Sequence, residues 1–227
     1  MSTRRLLPVL LLSLLALTAC SGEEVDPEVA ADRLESAATT LAEAERLDFS
    51  LTLDGTLPSD VDGLVSAEGF GNRTPAFEGT VRVQSGATLS ADVVAVDGEV
   101  WAKLGVVPWT TIDPDDFGAP DPAALIGENG GGLVALLPEV EVAETSQERD
   151  GKTVLTAITG TVAGDLVAEL IPSADPASDY EVTVRLTDDD AVHDVTLTGS
   201  FYPGADEDTT YVATVSASDE SAEITAP

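Results

Sequence analysis

Leu89-Ser-Ala-Asp-Val-Val-Ala-Val-Asp-Gly-Glu-Val-Trp-Ala-Lys-Leu104 reads as a β-hairpin. Leu89, Ala91, Val93 and Ala95 recur at every second residue, opposite Ser90 and Asp92, so one face is apolar and the other meets water. Asp97-Gly98 is a favoured pair for the centre of a type I′ turn, which needs positive φ at both positions. Glu99 to Leu104 returns, carrying Trp101.

The same period of two extends on both sides. Upstream, Phe49, Leu51 and Leu53 alternate with Ser50, Thr52 and Asp54, Leu64 to Phe70 alternates more weakly, and Phe77 to Val83 is another strand. Downstream, Pro108 to Ile112 is a short edge segment, and Asp113 to Asp121 is irregular around Pro114 and Pro120. Val140 to Glu148 and Thr153 to Val162 form a second hairpin about Asp150-Gly151. Strands over Tyr180 to Thr187, Val195 to Phe201 and Tyr211 to Val215 follow, and the acidic tail is expected to fray.

Helical periodicity is confined to three places. Asp26-Pro27-Glu28 has the order of an N-cap, a first-turn proline and a first-turn acid, and predicts a helix from about Pro27 to Leu47. Ala30, Leu34, Ala37, Leu41 and Ala44 form its apolar stripe. Pro122 to Ile126 makes a turn or two, and Ala163 to Ile171 a short helix. Between them, the glycine-rich break Gly127 to Gly132 leads into Leu133-Val-Ala-Leu-Leu137, too short to stand alone, which must pack on the sheet or cap a cavity. About nine mostly hairpin-linked strands with three helical segments predict an α+β domain built on a highly curved antiparallel sheet, spanning residues 26–227.

The residues expected to face inward on that sheet are small: Ala91, Val93, Ala95, Val100, Ala102, Val182 and Val184. Aromatic side chains, the efficient fillers of wide cores, make up only 4% of the chain. Either helices pack tightly against the sheet, or a hollow remains for an apolar guest. The residues alone favour the filled core.

The N-terminus is of another kind. Arg4 and Arg5 precede an apolar run, Leu6 to Leu17, too short to span a bilayer of roughly 30 Å as a helix. A basic start, a short apolar middle and small residues before the cut describe a secretory signal peptide over residues 1–19. Leu17-Thr-Ala-Cys20 resembles the lipobox of bacterial lipoproteins, in which the cysteine is lipidated and becomes the first residue after cleavage. Cys20 is the only cysteine, so an intrachain disulfide is impossible. Residues 20–25 are then a lipidated tether, and the expected location is the extracytoplasmic face of the cell membrane.

Composition and motifs exclude much chemistry. A net charge of −32 opposes binding to nucleic acid and to anionic head groups. His193 is the only histidine and reads as a solvated edge residue, with no Gly-x-Ser-x-Gly elbow in the chain. The mature chain lacks the His and Cys ligands of a zinc site, and Gly127 to Gly132 lacks the Gly-Lys-Ser/Thr ending of a P-loop. Asp113 to Asp116 and Asp188 to Asp190 lack the pattern of an EF-hand loop. No cofactor is implied, and the chain does not read as an enzyme.

The lipobox, the capped alanine-rich helix, Asp92 to Gly98 followed by Val100-Trp-Ala102, and Pro108-Trp109 occur here in a particular order. After them come the Asp121-Pro122 helix, Gly132 to Leu137 and Ile158-Thr-Gly-Thr-Val162. This ordered set resembles the LppX/LprA/LprF/LprG lipoproteins of mycobacteria and their relatives. The resemblance implies a half-barrel similar to LolA and LolB, with helices on its concave face enclosing a hydrophobic cavity. It also implies acylated cargo, glycolipids in LprG and phthiocerol dimycocerosate in LppX. That would make this chain a carrier of acylated lipids or glycolipids between membrane and outer envelope. It would act as a monomer held by its lipid anchor, with a membrane lipid transporter as its candidate partner. Val81, Val93, Ala95, Val100 and Ala102 are the expected cavity-lining residues, with Leu133 and Leu136 at the entrance. The competing reading is a structural or protein-interaction lipoprotein with a filled core and no lipid cargo.

Overall fold

A computed structural model describes residues 25–72, 74, 76–127, 131–202, 208–221 and 223–227. The leader, Cys20, most of the tether and the centre of the glycine-rich break (128–130) lie outside the described residues.

Eleven described strands form one open, curled antiparallel sheet. The first half is a meander of β1 (Arg46–Asp54), β2 (Gly63–Asn72), β3 (Ala76–Ser85), β4 (Ala87–Val96), β5 (Glu99–Lys103) and β6 (Thr110–Ile112). The second is a meander of β7 (Glu141–Asp150), β8 (Thr153–Val162), β9 (Tyr180–Leu186), β10 (Val192–Gly199) and β11 (Thr209–Ser218). Only one ladder is not between successive strands: β1 pairs with β11 in the middle of the sheet, Arg46 opposite Ser218 through Asp54 opposite Thr210. That leaves β6 and β7 as the two edges. The chain between them carries α2 (Pro122–Ile126) and a 3₁₀ segment, Gly132–Glu139.

The hairpin forms as its residues dictate. Asp97 and Gly98 have φ of 56° and 75°, the two positive angles of a type I′ turn. In the β7–β8 hairpin, Asp150 instead pairs with Thr153, which makes Gly151-Lys152 the central pair rather than Asp150-Gly151. Two more strands exist than the periodicity indicated. Gly69 and Gly71 blur the alternation of β2, and β6 has only three residues. Gly69 faces Gly79 across the β2–β3 ladder, and the buried Phe77 ring covers the space that their side chains would fill.

Helix α1 (Pro27–Glu43) begins as expected, with the Asp26 carboxylate accepting the Glu28 N–H at 2.9 Å. It buries Ala30, Leu34, Ala37 and Leu41 against the 3₁₀ segment, β7 and β11. It stops at Glu43, four residues earlier than the periodicity suggested, because Arg46 and Leu47 are taken by ladders to β2 and β11 on both sides. Arg46 lies 4.2 Å over the Phe70 ring and pairs with Asp48. The third helix, α3 (Gly164–Leu170), follows β8 and buries Val167.

The tail is not frayed. Ile224 is buried on the outer face of the sheet with Ala76, Val94 and Val96, beside Phe70, Trp101 and Trp109. Val93 to Val96 are buried on both faces of β4, so the outward valines require a cover that alternation alone does not reveal.

One side chain fastens α1 to the sheet. Arg33 donates to Asp190 at 2.6 Å, to the Thr156 hydroxyl at 2.8 Å and to the Thr187 carbonyl at 2.8 Å. Three partners at three angles suit the planar guanidinium fork, and an ammonium does not reproduce them. Arg33→Ala should lower stability by about 1–3 kcal/mol, and Arg33→Lys should recover little of it. Denaturant titration with unchanged stability in Arg33→Ala would contradict this staple.

Candidate functional site

Two narrow spaces lined by described residues lie in the apolar interior between the inward face of the sheet, α2 and the 3₁₀ segment. The central one lies between β1, β9, β10 and β11 on one side and α2 with the 3₁₀ segment on the other. Phe49, Leu51, Leu197 and Ala213 form its floor, and Leu125, Ile126, Leu133 and Leu136 form its roof. Its volume is about 40 Å³. Tyr211 brings the only polar side-chain atom of the lining. That hydroxyl is already engaged, donating to the Leu64 carbonyl at 2.6 Å and lying 2.7 Å from the Tyr202 hydroxyl.

A second, more open space of about 110 Å³ lies at the β3–β6 side. Val81, Val93, Val100 and Ala102 line it from the sheet, with Leu104, Ile112 and Phe117 around them. The expected site residues therefore divide. Val81, Val93, Val100 and Ala102 meet in the side groove, and Leu133 and Leu136 roof the central space. Ala95 lines neither and is part of the buried core. The large cavity implied by the resemblance is not present among the described residues. Side chains occupy most of the interior.

Phe49, Leu51, Leu197 and Tyr211 of the central lining were not singled out by sequence. Their strands were legible; which strands the sheet's curl brings beneath the 3₁₀ segment was not.

The roof and the floor differ in how they are held. The 3₁₀ segment runs eight residues, long for a geometry that seldom exceeds three or four, and contains Pro138. No side chain caps its N-terminus. It is held by Val134 and Leu137 buried inward and by contacts with α1, α2 and α3. Gly132 just inside it needs φ of 68°, and a Cβ there would collide with the Leu125 carbonyl.

The floor is braced by aromatic side chains. Phe201 sits edge-on between Tyr180 at 4.9 Å and Tyr211 at 5.0 Å. The Leu64 N–H donates to the Tyr202 hydroxyl at 3.1 Å, and Tyr180 donates to the Ser200 carbonyl at 2.6 Å. Burial pushes the phenols of Tyr180, Tyr202 and Tyr211 above their ordinary range.

The ionisable groups lie elsewhere. Asp194 is buried and takes two bonds from Arg185, at 2.9 and 2.6 Å. His193, at a β-bulge of β10, is not a freely solvated edge residue: Nδ1 lies 2.6 Å from Asp194 and Nε2 3.3 Å from Asp150. Arg185 and Asp150 flank the pair, so the histidine is part of a structural polar cluster. Among the described residues no three His, Cys, Asp or Glu side chains are placed to hold a metal ion.

The profile of the LppX_LprAFG lipoprotein family matches residues 27–225. The chain belongs to this family. Two crystal structures share its fold. LprF from Mycobacterium bovis superposes with a TM-score of 0.66 at 11% identity, covering 91% of this chain and all but 1% of that one. The Mycobacterium tuberculosis lipoprotein LppX gives 0.61 at 17% identity, covering 88% of this chain and 100% of its own. Comparison with curated protein sequences gives no significant match. Both neighbours carry the same open, curled antiparallel sheet as this member of the LppX_LprAFG lipoprotein family.

The buried phenols set an alkaline limit to this fold. Above pH of about 10 the unfolded chain ionises its tyrosines while the folded one resists, so stability falls as pH rises. Tyrosinate absorbance should therefore emerge only above pH of about 10, together with loss of the folded signal in circular dichroism. A tyrosine titrating normally in a still-folded protein would contradict the buried floor.

Proposed function

We propose that this family member binds acylated lipids or glycolipids against its apolar concave face. It carries them between the membrane and the outer envelope while anchored through Cys20 at the extracytoplasmic face. The carrying observation is the lining. Both internal spaces are walled by aliphatic and aromatic side chains, with no charged group among them and one hydroxyl, already engaged. Such a surface offers nothing to a polar substrate and suits hydrocarbon.

Magnitudes decide what has to move. Withdrawing a sixteen-carbon chain from a bilayer costs on the order of 10 kcal/mol at ~0.8 kcal/mol per methylene. Pockets that shield drug-sized ligands have volumes of roughly 300–1,000 Å³. The spaces of 40 and 110 Å³ lie below that range. Loading then requires the 3₁₀ segment to lift, which exposes Leu133, Leu136 and the floor beneath to the acyl chain. Val81, Val93, Val100 and Ala102 receive the chain's continuation in the side groove. The polar head stays in water, consistent with a lining that has no partner for it. The protein acts as a monomer and takes its cargo from a membrane lipid transporter.

A filled interior also favours a second reading, in which the domain binds no lipid and serves as an interaction lipoprotein. Mass spectrometry of organic extracts separates the two. Full chain carrying Cys20→Ser, purified from an actinobacterial host, should release stoichiometric acylated lipid. Val81→Trp should remain folded and lose that load, because an indole fills the side groove. Lipid-free wild-type protein would favour the interaction reading, and full load in folded Val81→Trp would remove the groove from the site.

A further inference from the structure

Among the described residues four large hydrophobic side chains are exposed, and three of them, Leu104, Val106 and Val107, stand in the β5–β6 loop. Val106 is fully exposed, at the tip, between Gly105 with φ of 57° and Pro108. The loop is uncharged from Leu104 through Ile112, nine consecutive residues in a chain with 42 acidic groups. At its base Lys103 stands 5.8 Å over the Trp109 ring, and Trp109 packs on the outer apolar cluster. Leu104 also lines the side groove, so the exposed tip and the groove are one continuous apolar surface.

We propose that this loop is a membrane-seating tip, inserting Val106 and Val107 into the hydrocarbon edge of a neutral bilayer and setting the mouth of the side groove against it. A bilayer fits these observations better than a protein partner. A protruding tip of three side chains cannot reach the roughly 1,000 Å² that a specific protein interface needs, whereas a fluid phase requires no complementary surface. Trp109, apolar with one N–H and held by a cation, is the side chain favoured at the level of the head groups. The strong negative charge of the body disfavours an anionic surface, so the membrane is neutral at the point of contact. The position of the groove rests on the lipid-binding reading above; insertion of the tip does not.

The test labels Val106→Cys with an environment-sensitive fluorophore in the Cys20→Ser full chain, and adds phosphatidylcholine vesicles. A second label at Val107→Cys and a control at Lys152→Cys, in the β7–β8 turn, complete the set. Emission at 106 and 107 should shift to the blue and be quenched by spin-labelled lipid, with no change at 152. A Val107→Asp substitution should abolish the shift at 106. Water-like emission at 106 and 107 on vesicle-bound protein would overturn the tip, as would failure to associate with vesicles at all. Lipid in the extracts together with an unshifted label would leave the carrier standing and remove the tip. A shifted label with lipid-free extracts would do the reverse.

Discussion

The pairing of β1 with β11 is the constraint on which the remaining architecture depends. It joins the start of one meander to the end of the other through nine residues in register. Once it forms, the free edges are β6 and β7, and the chain connecting them must pass from one side of the curled sheet to the other. That connection carries α2 and the 3₁₀ segment, and the two elements are set over the concave face because the topology offers no shorter way to cover it. The interior is thus roofed by the least regular part of the described chain.

Roof and floor are stabilised by different physics. The floor has long strand ladders and three tyrosines whose hydroxyls are paired with main-chain groups or with each other. Breaking any of these leaves a buried polar group without a partner, which is expensive. The roof has an unusually long 3₁₀ form, an internal proline, no side-chain cap, and chiefly apolar contacts to hold it. Apolar contacts are non-directional, so a hydrocarbon chain can replace those of Val134 and Leu137 without leaving unsatisfied groups behind. Opening the floor would forfeit specific bonds; opening the roof exchanges one apolar neighbour for another.

Much of the fold was legible in the residues. Asp97-Gly98 specifies its turn through local backbone preference, and Asp26-Pro27 its helix start through side-chain capping. The alternation around Val93 and Val182 correctly marks the inward faces. What escaped depended on contacts distant in sequence. The end of α1 was overridden by ladders to β2 and β11, and Ile224 was drawn onto valines that only the complete sheet presents. His193 was placed beside Asp194 and Asp150 by a β-bulge that no pattern signals. For the site, alternation gives the inward faces of the strands that carry the four side-groove residues, and the family resemblance, not the alternation, marks them as lining a cavity. The partition into two spaces depends on where the roof lies, and short apolar runs such as Leu133 to Leu137 do not disclose their own geometry.

A removable roof over a firm floor is most directly tested by amide hydrogen exchange of residues 132–139, measured with and without a saturating acylated lipid. These amides should exchange faster than those of β1 and β11 in lipid-free protein and change their protection when lipid is present, while the β1–β11 ladder stays unchanged. Protection of residues 132–139 equal to that of the central ladder, and indifferent to lipid, would contradict the proposal that this interior opens to receive a guest.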